Sequence, residues 1–272
     1  MTISTVSALV DALGNNSSRL VIDKASLANA VAGQFFSLWT AGGVPGAGSA
    51  PGAAAVPTSA TTGAMGFTNQ TSPVTSYIAT TLAESLYRTR FQTSTTAGNA
   101  SGVRDAVNTH WRGNAAGRGG FMCHFRICTG SIALAGAQVM VGLASGTAAL
   151  AGEPSSSVND FMGICKDAAD TNLFFSRRAG AGAASKVDLT IAYAANAVLD
   201  LWLFSRPNGS DIGVRVARQN FDGTITVLLD TTYNTSIPAN TQLLGRHCQA
   251  RNGTTAAAAN VEMVRIYSES DL

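Results

Sequence analysis

Charged residues are scarce in this sequence of 272 residues. Asp, Glu, Lys and Arg make up 12% of it, against roughly 25% in an average soluble domain. Hydrophobic residues make up 46%, so Ala, Gly, Ser, Thr and Asn must cover much of the exterior. A surface with so little charge is poorly protected against self-association. The composition therefore favours a component of an assembly, in which much of the surface is packed against neighbouring subunits.

A strong charge of one sign is also missing. The formal net charge is +2, made up of 15 Arg and 3 Lys against 16 acidic residues, and so small a charge supplies no field to steer nucleic acid or membranes. No apolar run approaches the roughly 18 residues needed to span a bilayer, and the first residues lack the pattern of a secretion signal. We therefore expect a soluble protein made in the cytoplasm that binds neither nucleic acid nor membrane.

The four cysteines form no Cys-x-x-Cys pair. They are Cys123, Cys128, Cys165 and Cys248. Two of them stand next to histidines, as Cys123-His124 and His247-Cys248, but adjacent residues of a strand face opposite sides and cannot bind one ion together. We interpret the cysteines as small buried hydrophobes in a reducing compartment and predict no metal and no cofactor.

Catalytic motifs are missing as well. The three histidines, His110, His124 and His247, accompany no Gly-x-Ser-x-Gly elbow, and the Gly-rich segments 113–120 and 180–182 lack the Gly-Lys-Ser/Thr ending of a phosphate-binding loop. The sequence thus predicts a protein that is not an enzyme.

One acidic cluster leaves an alternative open. Asp160, Asp167 and Asp170 fall within residues 159–172, where oxygen-rich side chains are common. Such a segment can form a calcium site or supply the acid/base pair of a glycosidase. It can also be a turn in which Asp and Asn bond nearby backbone amides. We favour the turn, because calcium loops gather more acidic ligands over a shorter span.

The N-terminal region, residues 1–87, predicts short helices followed by an extended arm. Ser4 can cap a helix that Gly14 ends, and a second helix can start at Asp23. Their apolar spacing rests on Val6, Leu9, Val10, Leu13, Leu27, Ala30, Val31 and Gln34. From Ala25 to Ala83 there is no Asp, Glu, Lys or Arg. We expect this region to anchor the protein, with the arm held by packing against other subunits. The alternative is that the arm is a loop lying on the sandwich of its own chain.

Residues 88–272 instead alternate between apolar and polar positions. Phe121, Cys123, Phe125 and Ile127 alternate with Met122, His124, Arg126 and Cys128, the period of a half-buried strand. Seven more strands are predicted at residues 138–143, 172–177, 186–192, 199–205, 213–218, 224–230 and 261–268. Turn signals at Asn196, at 207–210, at Asp222-Gly223 and at Asn252-Gly253 separate them. The fold class predicted is mainly β, an antiparallel sandwich or jelly roll.

Arginine and aromatic side chains cluster directly after the uncharged stretch. Six arginines fall within 39 residues: Arg88, Arg90, Arg104, Arg112, Arg118 and Arg126. This mixture can bind nucleic acid, but it is also typical of protein-interface hot spots, and the small net charge favours the interface. The candidate subunit-interface residues are Phe35, Phe36, Trp39, Ala54, Phe67, Tyr87, Arg88, Arg90, Trp111 and Arg112.

Two parts of the sequence resemble virion structural proteins of tailed bacteriophages. Residues 13–24, 33–39 and 63–67 are similar to the opening of capsid-associated proteins. The segments 88–93, 111–117, 141–143, 151–155, 163–164 and 167–172 resemble jelly-roll domains of phage fibre and appendage proteins. The resemblance implies a virion protein and no catalytic motif. Fibre shafts usually carry heptads or β-helical repeats, which this chain lacks, so a head decoration protein fits better.

Three functions remain as hypotheses. The first is a capsid decoration or cement protein that binds the major capsid protein and itself, as a trimer, with other virion proteins as further possible partners. The second is a head- or tail-fibre module that recognises host surface glycan, for which exposed Trp or Tyr at loop tips would be diagnostic. The third is an enzyme acting on polysaccharide, in which replacing Asp167 and Asp170 by Asn would abolish hydrolysis.

Overall fold

The computed structural model describes residues 34–40, 82–86, 88–129, 135–193 and 195–271. These residues form strands and two four-residue helices. The strands are β1 (Gln34–Thr40), β2 (Thr89–Gln92), β3 (Ala100–Arg104), β4 (Phe121–Cys128), β5 (Gln138–Ala144), β6 (Met162–Lys166), β7 (Asn172–Arg177), β8 (Ser185–Ala192), β9 (Val198–Ser205), β10 (Ile212–Gln219), β11 (Ile225–Tyr233), β12 (Gly245–Arg251) and β13 (Asn260–Asp271). The helices are α1 (Leu82–Ser85) and α2 (Pro154–Ser157). Within the described ranges, no helix is long and apolar enough to cross a membrane.

The strands form two antiparallel sheets. The seven-stranded sheet has the order β1-β13-β4-β9-β10-β11, with β2 also paired to β13, and the six-stranded sheet has the order β3-β12-β5-β6-β7-β8. The two sheets pack face to face around one large hydrophobic core. The prediction of an antiparallel sandwich is confirmed.

Strand β4 shows how the sequence sets the inside and outside of the sandwich. Phe121, Cys123, Phe125 and Ile127 belong to the core cluster, whereas the alternate residues face away from it. Facing them, Val139, Val141 and Leu143 of β5 supply the inner side of the six-stranded sheet. Each large side chain that is fully buried in this way stabilises the fold by about 1.5–3 kcal/mol.

All eight predicted strands are present; β4 and β7 have the predicted ends, and the ends of the other six differ from the predicted ones by a few residues. Five others were not predicted: β1, β2, β3, β6 and β12. The predicted hairpin at residues 220–224 joins β10 to β11. There the Asn220 N–H donates to the carbonyl of Thr224 at 2.9 Å, and Gly223 has φ 83°, a left-handed conformation that glycine adopts without strain.

The N-terminal region requires one correction. Gln34, predicted to lie in the second helix, is the first residue of β1, which pairs with β13 from Gln34↔Asp271 to Thr40↔Arg265. The aromatic-rich run after Gln34 favours a strand, and the edge of β13 offers it a complete ladder of backbone partners. The other predicted helical positions, with Ala54, Phe67 and Tyr87, lie outside the described residues.

Strands β1 and β2 lie end to end along one edge of β13. Thr40 pairs with Arg265 and Thr89 pairs with Met263, so the chain leaves and rejoins this edge beside Val264, where the ladder between β13 and β4 shifts register. Helix α1 packs nearby, with Ala83 against Cys128 and Val198. A strand from residues 1–87 is therefore part of the sheet that residues 88–272 build, and the domain boundary at 87/88 stays a prediction.

Candidate functional site

The acidic cluster is held by side chains of its own chain. The Lys186 ammonium contacts Asp167 Oδ2 at 2.9 Å and also contacts Asp170. Asp167 accepts a further hydrogen bond from the Ser155 hydroxyl. Burial alone would raise the pKa of Asp167, but the bonds from Ser155 and Lys186 outweigh it and hold this pKa below its ordinary value.

Asp160 is engaged elsewhere. Its Oδ1 accepts the Gly180 N–H at 2.7 Å, and its φ of 49° is that of a turn residue. Across the described ranges, no three His, Cys, Asp or Glu side chains are grouped so that they could hold a metal ion. The arrangement is that of a hydrogen-bonded turn with an ion pair.

The paired cysteines and histidines face opposite sides of their strands, as expected. Cys123 and Cys248 lie in the core, whereas His124 and His247 lie on the outer faces of the two sheets and contact polar groups there. All four cysteines are buried and unbridged, which confirms their interpretation as small buried groups. Burial raises the pKa of the Cys165 thiol to about 12, so this thiol remains protonated at neutral pH.

The arginines of the candidate interface make contacts inside the chain. Arg88 is 6% exposed and pairs with Glu262, whose Oε1 also accepts from Arg90 Nε at 2.6 Å. The guanidinium of Arg112 donates to the carbonyls of Gly209 and Pro238, at 2.8 Å and 2.6 Å. The Arg112 bonds connect the loop before β4 to the loops that follow β9 and β11.

The other candidate interface residues differ in where they lie. Trp111 is half-buried, and Phe35, Phe36 and Trp39 belong to β1. Arg118, from the same arginine cluster, is exposed. Phe91, the aromatic residue that follows Arg90, is part of the core. The subunit-interface assignment stays a prediction.

The outer face of the seven-stranded sheet carries a polar network centred on Asp200. This carboxylate is fully buried. Arg126 lies directly opposite it in the pairing of β4 with β9 and donates through Nε and Nη2, both at 2.8 Å. His124 Nε2 and Gln219 Nε2 donate at 2.6 Å and 2.7 Å. Four donor groups thus satisfy one buried carboxylate, the arrangement that makes a buried charge tolerable.

The electrostatics of this network fix its protonation. Burial would raise the pKa of Asp200, but His124 and Arg126 outweigh it and lower this pKa to about 2. Burial lowers the pKa of His124, although Asp200 opposes the shift. At neutral pH the carboxylate is therefore ionised and the imidazole is neutral. The hydrogen-bond pattern then places the imidazole proton on Nε2, while Nδ1 faces Arg265 Nη2 at 3.4 Å.

An aromatic stack adjoins the network. The rings of His124 and Trp202 are stacked with centroids 4.7 Å apart and an interplanar angle of 11°, and Trp202 is only 4% exposed. The Arg215 guanidinium lies 5.8 Å from the centroid of the Trp202 ring. The indole face is therefore already occupied by groups of the chain itself. Among the described residues, the large hydrophobic side chains that are exposed are Val107, Phe221, Val227 and Leu243, and they include no Trp or Tyr.

The outer face of the six-stranded sheet is covered by the loop between β5 and β6. Beneath the loop is a cavity of about 250 Å³, with Met140, His247 and Gln249 of the sheet in its lining. His247 Nε2 donates to the Gly146 carbonyl at 2.8 Å, and its Nδ1 accepts from Gln249 Nε2 at 2.8 Å. Gln249 Oε1 accepts the Leu150 N–H at 2.9 Å. Two side chains of β12 therefore hold this loop through neutral hydrogen bonds.

Neither polar network was predicted from the sequence. The sequence did contain a signal for such a network. Arg126 and Asp200 are charged residues within predicted strands, in a chain with few charges. A charge at such a position, flanked by core residues, has to find a partner on the same face of the sheet. The partner itself could not be named, because the two residues are 74 positions apart.

Comparisons with known proteins identify the architecture. No protein-family model and no curated protein matches the chain. Among solved structures, arcelin-5, a lectin-like defense protein from Phaseolus vulgaris, matches with a TM-score of 0.51 over 89% of this chain and 100% of its own, at 6% identity. Peanut lectin with a bound 9-residue peptide matches with a TM-score of 0.50 over 78% and 94%, at 13% identity.

An enzyme is also among the similar structures. Alginate lyase A1-II′, a member of polysaccharide lyase family 7, matches with a TM-score of 0.42 over 68% of this chain and 81% of its own, at 12% identity. Likenesses at such identities show the fold alone. The chain therefore has a lectin-like two-sheet jelly roll, and this fold by itself does not decide what the protein binds.

Proposed function

We propose that this chain is a non-enzymatic structural component of a phage particle, a capsid decoration protein that binds the major capsid protein lattice. The observation that carries the proposal is the position of β1. This strand lies inside the stretch of 59 residues without charge, 25–83, and pairs along seven residues of the sandwich edge. The uncharged region is thus fastened to the body of the protein by a strand, as an attachment region needs to be.

The distribution of charge supports the same function. Buried acidic residues are each paired with arginine: Asp105 with Arg246 at 2.8 Å, Asp200 with Arg126 at 2.8 Å, and Glu262 with Arg88. Some of the few charged residues in the sequence therefore lie in the interior of the protein. The remaining exterior has few charges to desolvate on contact, which suits a protein that is buried against neighbours.

The polar groups described above also support a role without catalysis. A general base needs a free lone pair within reach of a substrate. Asp200 is fully buried with four hydrogen bonds, and Asp167 and Asp170 share Lys186. The ring nitrogens of His247 face Gly146 and Gln249. Each of these groups stabilises the sandwich in the arrangement observed.

Location on the particle tests the proposal directly. Cryo-electron microscopy of the intact particle should place the chain on the capsid lattice, in hundreds of copies, and density confined to the tail would refute the proposal. Ala54→Asp should lower occupancy on the particle, because a carboxylate would be desolvated at the attachment surface. The matched control is Ala183→Asp, at an exposed position between β7 and β8, which should leave occupancy unchanged. Equal occupancy for both variants would show that attachment does not involve the uncharged region.

A receptor-binding module that recognises surface glycan is the second candidate. It is favoured by the likeness of the fold to peanut lectin and arcelin-5. The stack of His124 on Trp202 is buried, so a glycan would have to use the loop ends, where Phe221 is 64% exposed. A glycan array probed with the full chain tests this candidate, and binding that Phe221→Ser abolishes would favour it over capsid decoration.

A further inference from the structure

Side chains of β12 hold the loop between β5 and β6 through hydrogen bonds that all run in one direction. The Gly146 carbonyl accepts from His247 Nε2 at 2.8 Å, and His247 Nδ1 accepts from Gln249 Nε2 at 2.8 Å. Gln249 Oε1 in turn accepts the Leu150 N–H at 2.9 Å. His247 and Gln249 are 1% and 0% exposed, so a donor or acceptor left unmet there is costly.

The two ends of this row of bonds fix the protonation of the imidazole. A carbonyl can only accept, so the bond to Gly146 requires a proton on His247 Nε2. A backbone N–H can only donate, so the bond from Leu150 turns Gln249 Oε1 toward the loop and the NH2 group of Gln249 toward His247. His247 Nδ1 then has to be an acceptor without a proton. The observed bonds are therefore compatible with the neutral imidazole alone.

A second proton on His247 creates a conflict that rotation of Gln249 can only move. The new Nδ1–H would face the NH2 group, and both are donors. Rotating the amide by half a turn presents Oε1 to the imidazolium, but the NH2 group then faces the Leu150 N–H. The bond to Gly146 is kept in either case, because Nε2 remains a donor. Acid should therefore break the contact at Leu150 and spare the one at Gly146.

The charged groups that face His247 come from β3. Arg104 lies opposite His247 in the pairing of β12 with β3, and Asp105 follows it. On the other side, His247 pairs with Gly142 of β5, a strand without charged residues, and residues 145–151 of the loop carry no charge either. Burial and, to a lesser extent, Arg104 lower the pKa of His247 to about 4, although Asp105 and the bond that His247 donates to the loop oppose them.

We infer that His247 and Gln249 form an acid-sensitive switch, which releases the loop at Leu150 while the loop stays attached at Gly146. Leu150 belongs to an apolar cluster with Met140 on the same face of the sheet, so the opening is local and is reversed when the pH rises. Leu150 and Met140 also line the cavity beneath the loop, and release therefore gives solvent access to this cavity. The switch does not depend on the proposed place in a phage particle.

Nuclear magnetic resonance of the full chain tests the switch, because it observes the folded protein while the pH is lowered. The His247 ring should titrate near pH 4, and the Leu150 amide proton should move upfield with the same midpoint as it loses its acceptor. The temperature coefficient of that shift should become more negative, which separates a lost bond from the field of a nearby charge. The Ala197 amide is the matched control, since it is buried and donates to Thr129 Oγ1 at 2.8 Å, a hydroxyl that does not titrate. Its shift should stay constant.

Gln249→Glu should remove the conflict, because a carboxylate accepts from both the imidazolium and the Leu150 N–H. In this variant His247 should titrate about one pH unit higher than in the wild type, or more, and the Leu150 amide should keep its bond throughout. Since this titration lies at higher pH, the variant also decides the case in which acid unfolds the wild type first. The matched control is Gln242→Glu, in the loop before β12, which should behave as the wild type does.

His247→Gln supplies a second variant, in which no group of the switch titrates. Its Leu150 amide should lose the pH dependence seen near pH 4 in the wild type. The switch is overturned if the wild-type Leu150 amide keeps its bond while His247 titrates, or if its shift follows another midpoint. It is overturned equally if the bond is lost in Gln249→Glu, or if the pH dependence persists in His247→Gln.

Discussion

The outer faces of the two sheets are stabilised by different chemistry. On the seven-stranded sheet, a buried carboxylate, Asp200, is surrounded by His124, Arg126 and Gln219. On the six-stranded sheet, His247 and Gln249 hold a loop through hydrogen bonds between neutral groups. A buried charge depends on every partner, whereas a neutral hydrogen bond can be lost at lower cost. The first face should therefore be the more sensitive to single substitutions.

The largest effect is expected from Asp200→Ala. Removing the carboxylate breaks its ion pair with the Arg126 guanidinium in a site that is largely buried, and breaking a buried pair in this way costs about 3–5 kcal/mol. The free energy of unfolding, measured with urea at neutral pH, checks this value.

The matched control is Asp211→Ala. Asp211 also pairs with an arginine, Arg206, but the two side chains are 31% and 49% exposed. Exposed pairs contribute at most about 1 kcal/mol. If both variants lost the same stability, burial would not be the reason that the Asp200 network matters.

His247 and Asp200, one on each face, should lose their contributions to stability in different ranges of pH. Burial lowers the pKa of His247 to about 4. As the pH falls, this imidazole is therefore protonated near pH 6.5 in the unfolded chain but only near pH 4 in the folded chain. Stability is then lost as the pH falls from about 6.5 to about 4, by about 3 kcal/mol for this residue. The pKa of Asp200 is about 2, so its contribution is lost at lower pH, as the carboxylate protonates in the unfolded chain below about 3.9.

His247→Gln should separate these ranges. The variant should have a flatter dependence of unfolding free energy on pH between about 6.5 and 4, while the loss at lower pH remains. Burial also lowers the pKa of His110, to about 3, and that of His124. These two histidines add losses of stability of the same sign in the wild type and in the variant. An unchanged slope in the variant would mean that His247 is not buried as a neutral group.

Gln249→Ala should have an intermediate effect. It removes the acceptor of the Leu150 N–H and the donor to His247, at a cost of about 1–3 kcal/mol for buried groups left unsatisfied. Hydrogen exchange at the Leu150 amide should accelerate, because the loop loses its attachment to β12. Gln242→Ala is the control, since that half-buried side chain donates an exposed hydrogen bond to the adjacent carbonyl of Leu243. Unchanged exchange at Leu150 would show that other contacts hold the loop.

Local patterns explain which parts of this fold could be predicted. Strand β4 was predicted with its observed ends because its apolar residues alternate without interruption, and the β10–β11 hairpin was found from its Asp222-Gly223 turn. Strand β6 was missed because Gly163 and Lys166 interrupt its pattern beside a segment rich in turn residues. Strand β12 was missed because its core positions are the small residues Cys248 and Ala250.

The polar networks could not be predicted for a different reason. Which strands are neighbours is a property of the whole topology, and β4 meets β9 across 74 positions of sequence between Arg126 and Asp200. The sequence indicated that each charged residue in a strand needs a partner on the same face. It did not indicate which strand would supply that partner.

The smallest effect is expected where charge is only partly buried. Lys186 lies between Asp167 and Asp170 on the six-stranded sheet, and the three side chains are 23%, 15% and 16% exposed. Burial would lower the pKa of Lys186, but hydrogen bonds to Asp170 and Asp167 outweigh it and raise this pKa. Lys186→Gln should cost about 1 kcal/mol at low salt, because water screens the group in part.

This loss should shrink as salt is added, whereas the loss in Asp200→Ala should not, because buried pairs are screened much less. Thermal unfolding of the wild type and of Lys186→Gln, with and without calcium, checks the role of the two carboxylates. As a hydrogen-bonded turn, the segment should show no rise in Tm with calcium, because Ser155 and the backbone amide of Asp167 already donate to these carboxylates. A rise in Tm that appeared in the variant alone would show that the lysine occupies a latent calcium site, and a rise in the wild type would restore the calcium interpretation of this loop.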